Sequence, residues 1–280
     1  VHAVDTLDGK EYQIKSKVVV NATGVFVDDM MKMDECDTRR KVRPSQGVHL
    51  VVDSKFLGGR SALMIPKTKD GRVLFGVPWH GKVVLGTTDT PLNEASLEPR
   101  ALEEEVDFIL DQAGQYLDRK PTRADVLSIF AGLRPLAAPT HADSKKTKEI
   151  SRNHKIYRSK SGLLTITGGK WTTYRAMAED VINQAIVIGG LSPAECVTKN
   201  LRVHGYTKEQ FDENDWNYVY GSDASKIQKM IEKEPSFAEK LYEGYTFTAA
   251  HVVWAAREEF AQNIEDVLAR RVRMPVLLLK

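Results

Sequence analysis

The residues best suited to chemistry lie in a run where an apolar segment is followed by two glycines, a lysine and two threonines. This run is Leu163-Leu-Thr-Ile-Thr-Gly-Gly-Lys-Trp-Thr-Thr-Tyr-Arg175. Two adjacent glycines allow a sharp backbone turn and the close approach of a ligand. The unpaired N–H groups at the start of the following helix bind anions, and Lys170 adds a positive charge there. An ordinary strand-to-helix turn is the alternative interpretation.

A second motif, Ala131-Gly-Leu-Arg-Pro-Leu136, places an arginine directly before a proline. Proline restricts the backbone of the residue before it, which would aim the side chain of Arg134 reproducibly. A guanidinium group presents a planar set of donors that matches phosphate or carboxylate oxygens. Arg134 is therefore a candidate for binding an anionic substrate, with a surface arginine that closes a strand as the alternative.

Two further segments carry candidate residues. Val18-Val-Val-Asn-Ala-Thr-Gly24 is typical of a buried parallel strand that turns into a helix, predicted at about residues 25–33. His49 begins the apolar strand His49–Val52, and an imidazole is the most common proton acceptor near neutral pH. A hydrogen-bonded core histidine is the alternative for His49.

Composition limits the classes of function. With 280 residues, 42% of them apolar, and a net charge of +2, the chain has one or two globular domains and no broad basic surface for nucleic acid. No apolar run approaches the roughly 18 residues that span a bilayer. Two cysteines, Cys36 and Cys196, fit a reducing compartment, and the histidines and cysteines form no metal-binding pattern.

The remaining pattern predicts the secondary structure. Strands at 63–65, 73–77 and 83–85 form an antiparallel meander, and a helix covers 99–117. Within it Glu103–Glu105 form a solvated face, and Asp89 is a turn residue. A helix follows at 171–188, ended by Gly189. After a change of composition near 195–206 the signals are helical, with a stripe at Val252, Ala256 and Phe260.

The segments Val18–Gly24, Ala131–Leu136 and Leu163–Arg175 together resemble the FAD-dependent glycerol-3-phosphate dehydrogenases. Further matching segments are Arg43 to His49, Gly86 to Asp89 and Asp266 to Arg271. The chain lacks the G-x-G-x-x-G fingerprint, so we expect it to be a C-terminal part of a larger flavoprotein. The expected fold class is α+β. Residues 1–196 would form an antiparallel-sheet substrate region with part of a FAD-binding α/β domain, and 197–280 an all-α domain.

The resemblance implies oxidation of sn-glycerol 3-phosphate to dihydroxyacetone phosphate, with hydride transfer to FAD and electrons passed to quinone or, in an oxidase, to oxygen. It implies His49, Arg134 and Lys170 as catalytic and substrate-binding residues. The implied flavin contacts are Ala22, Thr23, Gly24, Gly168, Gly169, Lys170 and Thr172. The expected location is the cytoplasm, with peripheral contact at the inner face of the cell membrane as an option. A homodimer is a further option.

Two alternatives remain open at this point. A flavin amine or amino-acid oxidase of the same broad fold would need one carboxylate anchor in place of a phosphate site. A protein of another class would use residues 207–280 as a non-catalytic helical interaction module on an inert scaffold.

Overall fold

A computed structural model describes residues 1–35, 39–138, 153–210, 212 and 215–274, so Cys36 lies outside the described residues. The chain folds into two compact units. Unit 1 is Val1–Gly47, Asp89–Pro99 and Gly132–Leu201; unit 2 is Val48–Thr88, Arg100–Ala131 and Arg202–Lys280. The chain enters unit 2 for the last time at Arg202, close to the predicted domain boundary at 196/197, which itself stays a prediction.

The elements of both units have the following bounds. The strands are β1 (His2–Val4), β2 (Glu11–Gln13), β3 (Val20–Asn21), β4 (Val42–Asp53), β5 (Leu63–Ile65), β6 (Leu74–Trp79), β7 (Lys82–Gly86), β8 (Thr90–Pro91), β9 (Val126–Ala137), β10 (Lys155–Arg158) and β11 (Leu164–Thr167). The α-helices are α1 (Val27–Asp34), α2 (Glu103–Ala113), α3 (Tyr174–Gly189), α4 (Ala224–Lys233) and α5 (Ala249–Glu258).

Unit 1 contains a hairpin of β1 and β2 and a three-stranded sheet in the order β10-β11-β3. β11 pairs with β3 in parallel, with Thr165 opposite Asn21, and with β10 antiparallel. Leu164 and Ile166 of β11 pack against Val181 and Ala185 of α3. The predicted parallel pairing is therefore confirmed, but the predicted burial is wrong for Val20, which is 36% exposed. In unit 1, β8 also pairs with the first part of β4.

Helix α3 begins after a 3₁₀ turn formed by Trp171–Thr173. The hydroxyl of Thr173 accepts the N–H of Lys170 at 3.3 Å and donates to the Lys170 carbonyl at 3.0 Å, which closes that turn. At the other end the left-handed residue is Gly190, with φ of 57°, and not the predicted Gly189. Gly189 is the last helical residue, and a Cβ there would lie 2.4 Å from Cγ2 of Val18.

Unit 2 is built on the antiparallel meander β5-β6-β7, and the second part of β4 pairs with β7. The β6–β7 hairpin turns at His80 and Gly81, whose φ angles are 48° and 71°. Two successive left-handed residues match the right-handed twist of the flanking strands. The predicted meander is confirmed.

Helix α2 packs its apolar side on this sheet, and Ile109, Leu110 and Ala113 are buried there with Leu50 and Leu85. The prediction that Glu103–Glu105 are solvated is wrong for Glu105, which is 3% exposed. Its carboxylate accepts the Leu102 N–H at 3.0 Å and the Thr88 hydroxyl at 2.8 Å. Glu105 thus caps its own helix and ties it to the chain after β7.

The part of unit 2 that begins at Arg202 contains a 3₁₀ segment at Trp216–Asp223, then α4 and α5, and a π-helical turn at Asp266–Arg271. The predicted stripe fails at Ala256, which is exposed, since the buried residues of α5 include Trp254 and Ala255. It also fails at Phe260, because α5 ends at Glu258 and Phe260 is 85% exposed with φ of 56°. The predicted α+β class with a helical C-terminal part is confirmed. Among the helices of the described residues, none is long and apolar enough to cross a bilayer.

Candidate active site

The turn after β3 is organised by a buried amide that the sequence interpretation missed. Asn21 is 3% exposed, and its Nδ2 donates to the Val27 carbonyl at 3.0 Å and to the Thr165 hydroxyl at 3.2 Å. Its Oδ1 accepts the hydroxyl of Thr23 at 2.8 Å. Ala22 and Thr23 are exposed. The sequence did offer a signal for this buried amide, because the polar residue Asn21 directly follows the apolar run Val18–Val20.

Gly24 ends this turn with φ of 62°, and a Cβ added there would meet nothing within 4 Å. The left-handed backbone therefore requires glycine, and the space in front of it is open to a ligand. An open space of this kind at the carboxyl end of a parallel strand is where α/β sheets bind cofactors.

Gly168 and Gly169 follow β11 with φ of 77° and 80°. A Cβ at Gly168 would lie 2.8 Å from the Asn153 carbonyl oxygen, and one at Gly169 would lie 2.3 Å from the Met177 sulfur. Both glycines are therefore needed by the backbone and its packing as well as by any ligand. Because β3 and β11 are parallel neighbours, their carboxyl ends place this turn beside the Ala22–Gly24 turn.

Lys170 is an exposed residue immediately before the 3₁₀ turn that starts α3, and Thr172 is exposed within that turn. The hydrogen bonds of Lys170 to Thr173 use backbone atoms, which leaves its ammonium group available to a ligand. A helix start disfavours a cation unless an anion compensates it. Next to it, Trp171 is 85% exposed and stacks on Tyr174, with ring centroids 5.3 Å apart.

Arg134 lies within β9, three residues before its end, so it does not close a strand as the alternative interpretation had it. Its guanidinium group lies against Gly47, where a Cβ would be 2.3 Å from Nη2. Nη1 lies 3.7 Å from Oδ1 of Asp89, and the Ser45 hydroxyl donates to the same carboxylate oxygen. The turn assignment of Asp89 therefore missed an ion pair. Gly47, Ser45, Asp89 and Arg134 form one cluster within unit 1.

His49 belongs to unit 2, in the part of β4 that pairs with β7. Its ring is stacked on Phe130 with centroids 5.0 Å apart and an interplanar angle of 11°. The opposite residue on β7 is Gly86, where a Cβ would lie 2.3 Å from Cδ2 of His49. The imidazole therefore stacks on an aromatic ring, lies close to the Gly86 backbone and stays partly exposed. Neither neighbour was foreseen from the sequence.

Comparison with known proteins assigns the class. The sequence profile of FAD-dependent oxidoreductases matches residues 1–175, and that of the C-terminal domain of alpha-glycerophosphate oxidase matches residues 164–279. The chain belongs to the FAD-dependent oxidoreductase family. The predicted family and its cofactor, FAD, are confirmed, whereas the roles of the individual site residues stay predictions.

Within this family, the individual proteins that the chain resembles include glycerol-3-phosphate dehydrogenases. The mitochondrial glycerol-3-phosphate dehydrogenase of Arabidopsis thaliana is 39% identical over 98% of this chain and 48% of its own length. The mitochondrial enzyme of Bos taurus is 37% identical over 98% of this chain and 40% of its own length. The structure of glycerol-3-phosphate dehydrogenase from Bacillus halodurans complexed with FAD is 30% identical, with a TM-score of 0.80, and the match covers 97% of this chain and 56% of that one. The chain thus spans less than half of the length of these curated relatives.

Proposed function

We propose that this chain is part of a flavoenzyme that oxidises sn-glycerol 3-phosphate to dihydroxyacetone phosphate. The observation that carries the proposal is the guanidinium group of Arg134, which is fixed by Gly47 and Asp89 and is still 35% exposed. A fixed, accessible fork of donors suits a phosphate dianion. The similarity to glycerol-3-phosphate dehydrogenases supports the same substrate.

The residues fit the flavin of the family. The open space at Gly24 and the turn at Gly168–Gly169 allow backbone to approach a flat ring, with Thr23 and Thr172 as polar contacts. When bound, FAD supplies the acceptor for the hydride from C2 of the substrate. Lys170 would stabilise the negative charge of the reduced ring, the substrate phosphate, or both.

His49 would accept the proton of the C2 hydroxyl group as the hydride leaves. Phe130 and Gly86 hold its ring in one plane, so they fix the direction of the accepting nitrogen. Arg134 would hold the substrate, and Asp89 would hold Arg134 in the orientation that binds it.

The electron acceptor, location and assembly belong to the same proposal. We infer quinone as the acceptor, with oxygen as the alternative if the enzyme is an oxidase. A quinone acceptor would require contact with a membrane, which fits a cytoplasmic enzyme bound peripherally at the inner face. A homodimer remains a prediction. Quinone reduction in membrane vesicles, measured beside oxygen consumption, would separate the two acceptors.

The decisive experiment uses the full-length enzyme with FAD. We expect oxidation of glycerol 3-phosphate with an artificial electron acceptor and no deamination of amino acids. Deamination of amino acids without oxidation of glycerol 3-phosphate would instead identify a flavin amine or amino-acid oxidase. Deletion of residues 207–280 addresses the other alternative: a folded, fully active product would assign the helical part to partner binding.

A further inference from the structure

The hydroxyl group of Thr88 links strand β4 to helix α2 inside unit 2. Thr88 is 1% exposed. Its hydroxyl accepts the N–H of Val48 at 3.0 Å and donates to Oε1 of Glu105 at 2.8 Å. A threonine hydroxyl has one proton to donate, so the bond to Glu105 leaves its lone pairs for Val48. The side chain therefore joins two elements that are far apart in sequence.

This link lies beside His49, at the end of the ladder between β4 and β7. The register of the two strands ends with His49 opposite Gly86, and Val48 is the adjacent residue of β4. Val48 is fully buried, so its N–H needs a partner within the protein. Thr88, which follows Gly86 closely in sequence, supplies that partner. Its hydroxyl thereby restrains β4 at the residue next to the candidate base.

Helix α2 gives this link a fixed end. Oε2 of Glu105 accepts the Leu102 N–H at 3.0 Å, so the carboxylate is bound to the helix start as well as to Thr88. Glu105 is 3% exposed, and the helix buries Val106 and Ile109 in the core that it shares with the sheet. A hydrogen bond to such an end restrains Thr88, and through Thr88 it restrains the backbone of β4.

We propose that Thr88 is a positioning residue for the reaction, with Glu105 as its anchor. This inference rests on the proposed function of His49 as the proton acceptor. Thr88 and Glu105 are both buried, so their effect on the rate passes through His49 and not through contact with the substrate. Precise placement of a base matters, because a misplacement of about 1 Å can lower a rate roughly 10²-fold.

Kinetics of the full-length enzyme with FAD test this inference. Thr88→Val keeps the shape of the side chain and removes both hydrogen bonds, so we expect kcat for glycerol 3-phosphate to fall by about tenfold while KM stays within about twofold of the parent value. Thr88→Ser keeps the hydroxyl group and should restore most of the lost kcat. Thr88→Ala places no methyl group against the two polar partners, so it replaces Thr88→Val if that variant fails to fold, and it should show the same loss of kcat.

Thr68→Val is the matched control for a general loss of stability. Thr68 is 4% exposed and lies between β5 and β6 of unit 2, where its hydroxyl donates to Asp70 and accepts the Arg72 N–H at 3.0 Å. This variant loses a comparable buried hydroxyl group far from His49 in sequence, so it should be less stable with kcat per bound flavin unchanged. In enzyme with isotope-labelled histidine, the NMR signal that is missing from His49→Ala should move in Thr88→Val and stay in place in Thr68→Val.

The outcomes separate this inference from the function on which it rests. It is overturned if Thr88→Val has the kcat of the parent, if Thr68→Val lowers kcat per bound flavin as much, if Thr88→Ser recovers none of the activity, or if the His49 signal does not move. A parent enzyme that loses activity in His49→Ala and keeps it in Thr88→Val overturns this inference alone. A parent enzyme that does not oxidise glycerol 3-phosphate overturns the proposed function, and this inference with it.

Discussion

Asp89 lies 3.7 Å from the guanidinium group of Arg134, across a sequence separation that hides the pair from any local pattern. The same carboxylate oxygen accepts the hydroxyl of Ser45, and its side chain is only 14% exposed. The low exposure strengthens the attraction relative to a surface pair. The pair therefore explains how a long, flexible side chain can be held in one orientation.

Loss of this pair should lower activity through Arg134. In the full-length enzyme we expect Asp89→Asn to reduce kcat/KM for glycerol 3-phosphate by about tenfold, or 1.4 kcal/mol, since the guanidinium group loses its carboxylate. Arg134→Lys should cost at least about as much, because lysine keeps the charge and loses the fork. Steady-state kinetics measure both.

The matched control is Asp111→Asn, which removes a carboxylate paired with exposed Lys69 and Lys120 on unit 2. It should leave kcat/KM unchanged. If Arg134→Lys has the kcat/KM of the wild-type enzyme, Arg134 has a purely structural role.

His49→Ala should lower kcat by roughly 10²-fold if His49 is the general base. A base must be unprotonated to act, so activity should rise with pH through its titration, and the variant should lose that acidic limb of the pH–rate profile. Phe130→Leu keeps the imidazole and removes the stacked ring, so it should lower kcat and retain the limb. An intact limb in His49→Ala would assign the proton to another group.

Lys170→Met distinguishes the two anions that Lys170 could face. If the ammonium group faces the flavin, the reduction potential of the substrate-free enzyme should fall. If it faces the phosphate, affinity for glycerol 3-phosphate should fall and the potential should stay constant. We expect both effects, measured by redox titration and by a substrate binding curve; no change in either would make Lys170 a solvated surface residue.

Gly24→Ala tests the open space after β3. The left-handed φ of 62° should cost about 1 kcal/mol of folding stability, and the new methyl group should also weaken FAD binding by the full-length enzyme. Gly9→Ala is the matched control, because Gly9 has φ of 73° and equally open surroundings in the β1–β2 hairpin. Denaturant unfolding and flavin content measure the two effects. Equal flavin content in both variants would remove Gly24 from the cofactor site.

His251 should make stability depend on pH. It is 2% exposed, its Nδ1 accepts the Thr248 N–H at 2.9 Å, and its Nε2 pairs with Asn217 Oδ1 at 2.7 Å. Burial lowers its pKa to about 4, below the value of 6.5 for an exposed histidine. The unfolded chain therefore binds an extra proton between these values, so stability is complete above about pH 6.5 and falls as the pH drops towards 4.

Between pH 7 and pH 5 this loss should be about 2 kcal/mol, measured by urea unfolding at both values. His251→Gln should lose most of the pH dependence, whereas His2→Gln, at an exposed position, should retain it. A slope equal to that of the parent chain in His251→Gln would assign the effect to other groups.

Local patterns predicted the elements of this protein well and its long-range contacts poorly. The meander β5-β6-β7 and the turn at Gly168–Gly169 follow from alternation and from glycine, both of which are properties of neighbouring residues. The pair Arg134–Asp89 joins residues far apart in sequence, and nothing local distinguishes Asp89 from a turn aspartate. Motifs therefore propose candidate site residues, whose roles stay predictions, but they do not predict the distant contacts that hold those residues.

Tertiary contacts also decided where individual side chains face. Glu105 belongs to an acidic run typical of a solvated helix face, but the hydroxyl of Thr88 and the N–H of Leu102 bury it. The sequence spacing places Phe260 on the same predicted helix face as Val252, but the helix ends at Glu258. Both errors arise because periodicity describes an element and not its ends.

The parallel pairing of β3 with β11 has a consequence for synthesis of the chain. Asn21 and its hydrogen-bond partner Thr165 are 144 residues apart. At about 5–20 residues per second the ribosome would need roughly 7–30 s to deliver the second strand after the first. Throughout that interval the apolar run Val18–Val20 lacks β11, the strand with which β3 pairs in the described part of the chain, so this pairing cannot protect the segment from aggregation while the chain is being made.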